Sequence, residues 1–272
     1  MDADELPERS SLKFFLLTFA LAIPFWMLNF IIKVEGLPLD IPVTDFALAF
    51  MPMTGAAILI YKNEGLDGVR KLLKRVLDFR RIRKKIWYLP VALLMPLLYL
   101  LIYGAIRLTG RPLPEPHISF LTIPLFFIMF FALAAGEELG WMGYAVDPMQ
   151  ERWSALTTSI ILGSVWSVAH YPSMIKQGRN LKWIAWGTLG MLGMRTLIVW
   201  LYNNTGKSLF AVIFFHAMAN VGRVAFPADK THNPLVDYPG IHYSILAVAA
   251  LIVAILWGPK TLADYRHARS TA

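Results

Sequence analysis

Two adjacent acidic residues, Glu137 and Glu138, end an apolar run that reads T-I-P-L-F-F-I-M-F-F-A-L-A. An ionised carboxylate in hydrocarbon is several kcal/mol unfavourable unless it is paired or protonated, so carboxylates in such runs usually serve a function. Consecutive residues of a helix point about 100° apart, so the two side chains cannot face the same point. We therefore expect one of them to do chemistry and the other to anchor or orient it.

Imidazole and amide side chains recur in later apolar runs at helical spacing. His170 follows Trp166 by four residues, and Asn220 follows His216 by four, so each pair shares one face of a helix. If Glu137 and His170 meet, they can activate a water molecule for attack on a carbonyl carbon. His216 and Asn220 can then donate hydrogen bonds to the resulting oxyanion, a contribution of about 3–4 kcal/mol per donor in soluble proteases.

The same side chains leave a metal mechanism open. Two histidines and one glutamate form a legitimate catalytic zinc set with water in the fourth position. The H-E-x-x-H pattern is missing from the sequence, and Asn220 suits a hydrogen-bond donor better than a zinc ligand. We favour a site without metal or other cofactor, although spacing alone does not separate the two mechanisms. The remaining histidines considered, His232 and His242, lie in or beside a polar loop and are expected to be solvated.

The helices that carry these residues are predicted to lie in a membrane. Of the 272 residues, 57% are hydrophobic and only 16% are charged, against roughly 25% charged in an average soluble domain. Apolar runs of about 20 residues, enough to cross ~30 Å of hydrocarbon, recur along the chain. The absence of cysteine excludes disulfides and thiolate catalysis.

We predict an all-α, polytopic integral membrane protein that forms one domain over residues 1–272, with a catalytic four-helix core at 120–225. About eight transmembrane helices are expected, at residues 12–32, 44–61, 86–107, 120–146, 153–172, 182–203, 207–225 and 241–258. For Glu137 to reach the depth of His216, the fourth span must continue through Gly140 and Gly143, and a tilt or kink is needed to bring His170 to the same level.

The connection at residues 62–85 carries ten of the basic residues and places Val69, Leu72, Leu73, Val76 and Leu77 at helical spacing. This pattern predicts one basic amphipathic helix on the membrane surface. Because more basic residues fall on the side of the termini, both termini are expected to be cytoplasmic. The formal net charge of +8 lies beside the spans, so it favours membrane lipid as a partner and not nucleic acid.

Three motifs on successive core helices resemble those of the CPBP (also called Abi) family of CAAX prenyl proteases and bacteriocin-processing intramembrane proteases. Its usual patterns are E-E-x-x-x-R, F-x-x-x-H and H-x-x-x-N. Here they read Glu137-Glu138, Trp166-x-x-x-His170 and His216-x-x-x-Asn220. Further likeness lies in E-E-L-G-W, in the H-x-P at 170–172 and in the N-x-T-G-x-S-L at 203–209. The resemblance covers residues 120–225.

The resemblance implies that Glu137 and His170 activate a water, that His216 and Asn220 form an oxyanion site, and that Glu138 supports Glu137. One departure is Met142, which stands where the family pattern has arginine.

We hypothesise that Arg195, an otherwise unexplained charge in the sixth span, supplies this cation from another helix, and we expect Trp166 to have a supporting role.

The function implied is hydrolysis of a peptide bond near the C-terminus of a prenylated or membrane-anchored substrate. Three alternatives remain open at this level: a zinc-dependent version of the same site, a non-catalytic immunity-type protein of the same family, and a proton-coupled transporter that uses the Glu and His residues as a relay. The sequence does not determine the oligomeric state.

Overall fold

The structure, a computed structural model, describes residues 9–32, 42–118, 120–227 and 233–263. Every regular element within these ranges is helical, which confirms the all-α prediction. The helices are α1 (Ser11–Ile31), α2 (Val43–Leu48), α3 (Met51–Lys74), α4 (Tyr88–Leu108), α5 (Thr122–Gly140), α6 (Val146–Arg152), α7 (Ala155–Lys176), α8 (Leu181–Asn204), α9 (Leu209–Ala225) and α10 (Pro239–Trp257). A π-helical turn, Trp141–Ala145, joins α5 to α6.

Within the described ranges, six helical segments are long and apolar enough to cross a membrane, so the chain is an integral membrane protein. They are Ser11–Ile31, Val43–Leu77, Lys85–Leu108, Thr122–Arg152, Leu181–Asn204 and Pro239–Trp257. The predicted spans at 153–172 and 207–225 correspond to α7 and α9, and neither helix is among these six segments. Helix α9 is apolar but has only 17 residues. The count of eight crossings therefore remains a prediction. The orientation of the termini in the membrane also remains a prediction. Residues 1–8 and 264–272, at the two ends of the chain, lie outside the described ranges.

The predicted surface helix at 62–85 is not one helix. Its first part is the end of α3, which continues from the second span and departs from helical geometry at Gly65, where φ is 63°. Three short 3₁₀ turns follow, Arg75–Leu77, Phe79–Arg81 and Lys85–Trp87.

Asp78 ties this segment to the start of α9. Its Oδ1 accepts hydrogen bonds from the Ser208 hydroxyl at 2.7 Å and from the Phe210 N–H at 3.0 Å. These contacts, which a helical periodicity cannot reveal, hold the basic segment against the protein. Contact of the segment with lipid stays a prediction.

Helices α5, α8 and α9 form the buried centre of the molecule, and close backbone contacts hold neighbours against them. A Cβ on Gly140 of α5 would lie 2.5 Å from the backbone of Pro52 in α3, and a Cβ on Gly193 of α8 would lie 2.9 Å from the Leu246 carbonyl oxygen of α10. Small residues are common at such crossings because helix association in lipid depends on close packing. Glycine at these two positions allows α3 and α10 to approach the helices that carry the site.

Polar caps fix where the site helices begin. Ser154, Asn180 and Ser208 precede α7, α8 and α9, and the side chain of each accepts a hydrogen bond from a backbone N–H three residues later. Such caps satisfy donors that the first helical turn leaves unpaired. They fix the residues at which α7, α8 and α9, the helices that carry His170, Arg195 and His216, begin.

Candidate active site

The two adjacent carboxylates have different partners, as their helical geometry predicts. Glu137 is half-buried, and its Oε2 accepts a hydrogen bond from the indole N–H of Trp166 at 2.6 Å. Glu138 is fully buried, and its Oε2 and Oε1 contact Arg195 and His216. The chain therefore separates the two acids: Glu137 borders a cavity, and Glu138 lies behind it.

Arg195 forms a buried ion pair with Glu138. The guanidinium lies 2.7 Å from the Glu138 carboxylate, and neither side chain is exposed to any degree. The contact hypothesised between a cation of α8 and the acidic pair is thus present. Met142, in the π-helical turn, is also buried. A buried charge is strongly unfavourable without a partner, so each member of the Arg195–Glu138 pair requires the other.

Trp166 contacts four charged or imidazole groups of the site. In addition to its hydrogen bond to Glu137, its ring lies under the Arg195 guanidinium at 4.5 Å, edge-to-face with His170 at 5.0 Å and edge-to-face with His216 at 5.6 Å between centroids. The sequence pairs Trp166 only with His170, through their shared helix face. The contacts to α5, α8 and α9 depend on tertiary packing, and they make this indole the common wall of the site.

Hydrogen bonds define how the two imidazoles are oriented. His170 Nδ1 lies 2.8 Å from the Trp166 carbonyl oxygen, and His216 Nδ1 lies 2.8 Å from Glu138 Oε1. A carbonyl and an ionised carboxylate can only accept, so both Nδ1 atoms carry a proton. A neutral His216 therefore has an accepting Nε2, and it can donate to an oxyanion only as the imidazolium. This condition cannot be read from the H-x-x-x-N spacing.

A cavity of about 260 Å³ collects the predicted residues. Its walls include Glu137, Trp166, His170, His216 and Asn220, from helices α5, α7 and α9. One water occupies about 30 Å³ of liquid, so the space exceeds what a single nucleophilic water needs. The structure also confirms that the helix through Glu137 continues past Gly140 to Arg152, with a π-helical turn as the irregularity. Such turns are frequent at functional sites.

Asp45 and Ser173 are cavity residues that the sequence analysis did not select. The Ser173 hydroxyl donates to Asp45 Oδ1 at 2.5 Å, and both residues line the cavity. Asp45 interacts electrostatically with His170, Arg223 and Glu137. Asp45 lies at the start of the predicted second span. A carboxylate in an apolar run is the same signal that identifies Glu137 and Glu138, and it also identifies Asp45.

The expectation for His242 was wrong. Its side chain is buried near the start of α10, with its ring against Tyr99 and Tyr243 at centroid distances of 5.9 and 4.8 Å. The helix begins at Pro239, earlier than the predicted boundary of 241, and the first turn packs against α4. His232 lies outside the described residues.

A metal centre has no preformed ligand set in the part of the chain that the structure describes: no three His, Asp or Glu residues are arranged to hold an ion. His216 Nδ1 is engaged by Glu138, and His170 Nδ1 by a backbone carbonyl. For the zinc set of Glu137, His170 and His216, each imidazole could contribute only its Nε2 atom, and the three residues would have to move together to coordinate one ion.

Comparison with known proteins agrees with these motifs. Residues 119–222 match the family described as "Type II CAAX prenyl endopeptidase Rce1-like", and this range contains all the predicted site residues. The chain is also 29% identical over 230 residues to CAAX prenyl protease 2 of Methanococcus maripaludis, an alignment that covers 77% of this chain and 82% of that protein. With the three motifs gathered in one cavity, these matches support the similarity of the chain to the CPBP family of CAAX prenyl proteases.

Proposed function

We propose that the protein hydrolyses a peptide bond near the C-terminus of a prenylated or membrane-anchored substrate, by a glutamate mechanism that needs no metal. One observation carries the proposal: Glu137, His170, His216 and Asn220, from three helices, line the same cavity. An acid, two imidazoles and an amide in one buried space are the groups that water activation and oxyanion binding require.

In the first step, Glu137 and His170 hold a water, and its oxygen attacks the scissile carbonyl carbon. Glu137 Oε1, which has no hydrogen-bond partner among the described residues, takes the water proton, since Oε2 accepts from Trp166. His170 donates through Nδ1 to a backbone carbonyl, so its Nε2 is available to the water. The proton then passes to the leaving nitrogen, the C–N bond breaks, and the products are a new carboxyl group and a free amine.

His216 and Asn220 stabilise the tetrahedral oxyanion. The Asn220 amide donates from one turn along the same face of α9. His216 donates through Nε2 as the imidazolium, while its Nδ1–H remains bonded to Glu138. With Arg195 and Glu138 neutralising each other, a protonated His216 gives the cluster a net charge of +1 beside the developing negative charge. The buried pair thus serves to orient the imidazole through its Nδ1–H.

The test compares purified full-length protein with its Glu137→Gln variant on a panel of prenylated and membrane-anchored peptides, with and without a metal chelator. Glu115→Gln is the matched control, because that side chain is 83% exposed, pairs with Arg107 and is not among the residues that line the cavity. We expect wild type and Glu115→Gln to cleave equally and Glu137→Gln to lose at least 100-fold in rate, a loss of the size seen when a catalytic proton acceptor is removed.

The outcomes separate the alternatives. Cleavage that survives exhaustive chelation supports the glutamate mechanism, whereas loss on chelation with recovery on adding zinc selects the metal version. Equal activity of wild type and Glu137→Gln would refute the assignment of Glu137. Comparison of prenylated with unprenylated peptides of the same sequence defines whether the lipid is recognised.

A further inference from the structure

The cavity continues beyond the catalytic groups to a second polar end, formed by Arg223 of α9 and by Asn233, just before the 3₁₀ turn Pro234–Asp237. We propose that Arg223 and Asn233 bind the free C-terminal carboxylate of the substrate. This inference rests on the proposed peptidase function and adds the chemical group by which the site would select a chain end.

Arg223 is placed to be the cation of this subsite. His216, Asn220 and Arg223 stand at positions i, i+4 and i+7, on one face of α9, and all three line the cavity. Across the described ranges, Arg223 has no ion-pair partner within 4.0 Å, whereas Arg195 pairs with Glu138 through Nη1 at 2.7 Å. A guanidinium presents two parallel N–H groups that match the two oxygens of a carboxylate.

Asn233 supplies an unsatisfied donor to the same space. Its side chain is 8% exposed, and its Oδ1 already accepts from the Leu235 N–H at 2.9 Å. The Nδ2 group is buried and has no hydrogen-bond partner among the described residues. A buried donor left unpaired is unfavourable by about 1–3 kcal/mol, so a residue held in this way indicates an acceptor that occupies the cavity. A carboxylate satisfies both this amide and Arg223.

The spacing on α9 sets how far the chain end lies from the reacting bond. From His216 to Arg223 the helix rises about 10.5 Å, since each residue contributes about 1.5 Å. An extended peptide covers about 3.3 Å per residue. A carboxylate at Arg223 and a scissile carbonyl at His216 are therefore about three residues apart.

The other charges of the cavity make Arg223 essential to this recognition. Glu137 and Asp45 both line the walls, and a carboxylate substrate would be repelled by both. Asp45 interacts electrostatically with Arg223, and Ser173 engages one of its oxygens. Loss of the Arg223 cation would thus leave an acidic cavity that disfavours a free chain end.

The experiment measures binding, so it does not depend on turnover. Fluorescently labelled peptides of one sequence, ending in a free carboxylate or in an amide, are titrated into detergent-purified full-length Glu137→Gln protein. We expect the acid to bind about 10- to 100-fold more tightly than the amide, the range for a charge-assisted hydrogen-bonded pair. Arg223→Met in the same background should weaken the acid alone and bring the ratio close to one, and Arg223→Lys should retain part of it.

Arg179→Met is the matched control, because Arg179 lines the same cavity and stacks on Trp183 at 4.7 Å. Arg179→Met should still bind the peptide acid more tightly than the amide. Asn233→Leu should reduce this difference in affinity. An equal affinity for acid and amide, or a ratio unchanged by Arg223→Met in protein that remains monodisperse, would overturn the proposal. Failure of the proposed function would appear separately, as equal cleavage by wild type and Glu137→Gln, while the binding ratio still decides the carboxylate site.

Discussion

Replacement of Arg195 by methionine tests whether the buried cation holds the site together. The substitution keeps a flexible, apolar stem, shorter than the arginine side chain, and removes the charge that lies 2.7 Å from Glu138. It also removes the guanidinium that stacks on Trp166 at 4.5 Å. Glu138 would then be a fully buried carboxylate whose remaining contact is His216, at 2.8 Å.

The expected loss in the free energy of unfolding is about 3–5 kcal/mol, the range found when one member of a buried ion pair is removed. The double variant Glu138→Gln/Arg195→Met removes both charges and leaves no unpaired ion. We expect it to unfold within about 2 kcal/mol of wild type, because replacement of a whole buried pair is often nearly neutral. The two single changes should therefore be strongly non-additive, with a coupling of at least about 2 kcal/mol.

The free energy of unfolding would be measured by titrating SDS into mixed micelles and monitoring helix content by circular dichroism. Peptidase activity would be measured in parallel. Arg70→Met is the control, because Arg70 and Asp67 form an exposed pair with 64% and 80% of their side chains accessible, and such pairs contribute 0–1 kcal/mol. If Arg195→Met were as stable and as active as wild type, or if the single and double changes were additive, the assignment of Arg195 as the counter-ion of Glu138 would be wrong.

Three further predictions follow from single contacts. Trp166→Phe keeps an aromatic ring but removes the N–H that contacts Glu137 at 2.6 Å, so peptide cleavage should fall about tenfold, and an unchanged rate would contradict this contact's role. Gly140→Ala should destabilise by about 1–3 kcal/mol because its Cβ would meet the α3 backbone at 2.5 Å, whereas Gly104→Ala, with no atom within 4 Å, should be neutral or stabilising in the same melts. Ser208→Ala removes the cap of α9 and the bond to Asp78 and should cost about 1 kcal/mol in unfolding free energy, with Ser164→Ala, an exposed mid-helix position, as the comparison.

The local part of the candidate site could be predicted from sequence, because helical periodicity is a local property. The pairs Trp166/His170 and His216/Asn220 share a helix face whatever the rest of the chain does. The separation of Glu137 from Glu138 follows from the same geometry, although which of them borders the cavity does not. The apolar composition likewise determines that these helices lie in a membrane.

The prediction of the basic segment was less successful for a physical reason. Leucine and valine at helical spacing predict an amphipathic helix, but Gly65 interrupts the helix and Asp78 binds the segment to the start of α9. The backbone conformation of Gly65 and the hydrogen bond between Asp78 and Phe210 both oppose the helix propensity of the segment. The buried position of His242 escaped prediction in the same way, because it depends on how α10 packs against α4.

The sequence by itself determined the helical membrane architecture and the types and spacing of the reactive side chains, since both follow from hydropathy and from 3.6 residues per turn. Only the tertiary structure decided that Arg195 of α8 neutralises Glu138, that Trp166 borders four groups of the site, and that Asp45, Arg223 and Asn233 share the cavity with Glu137. These contacts join residues far apart in the chain, and their formation depends on helix packing angles and close glycine contacts that no local pattern encodes.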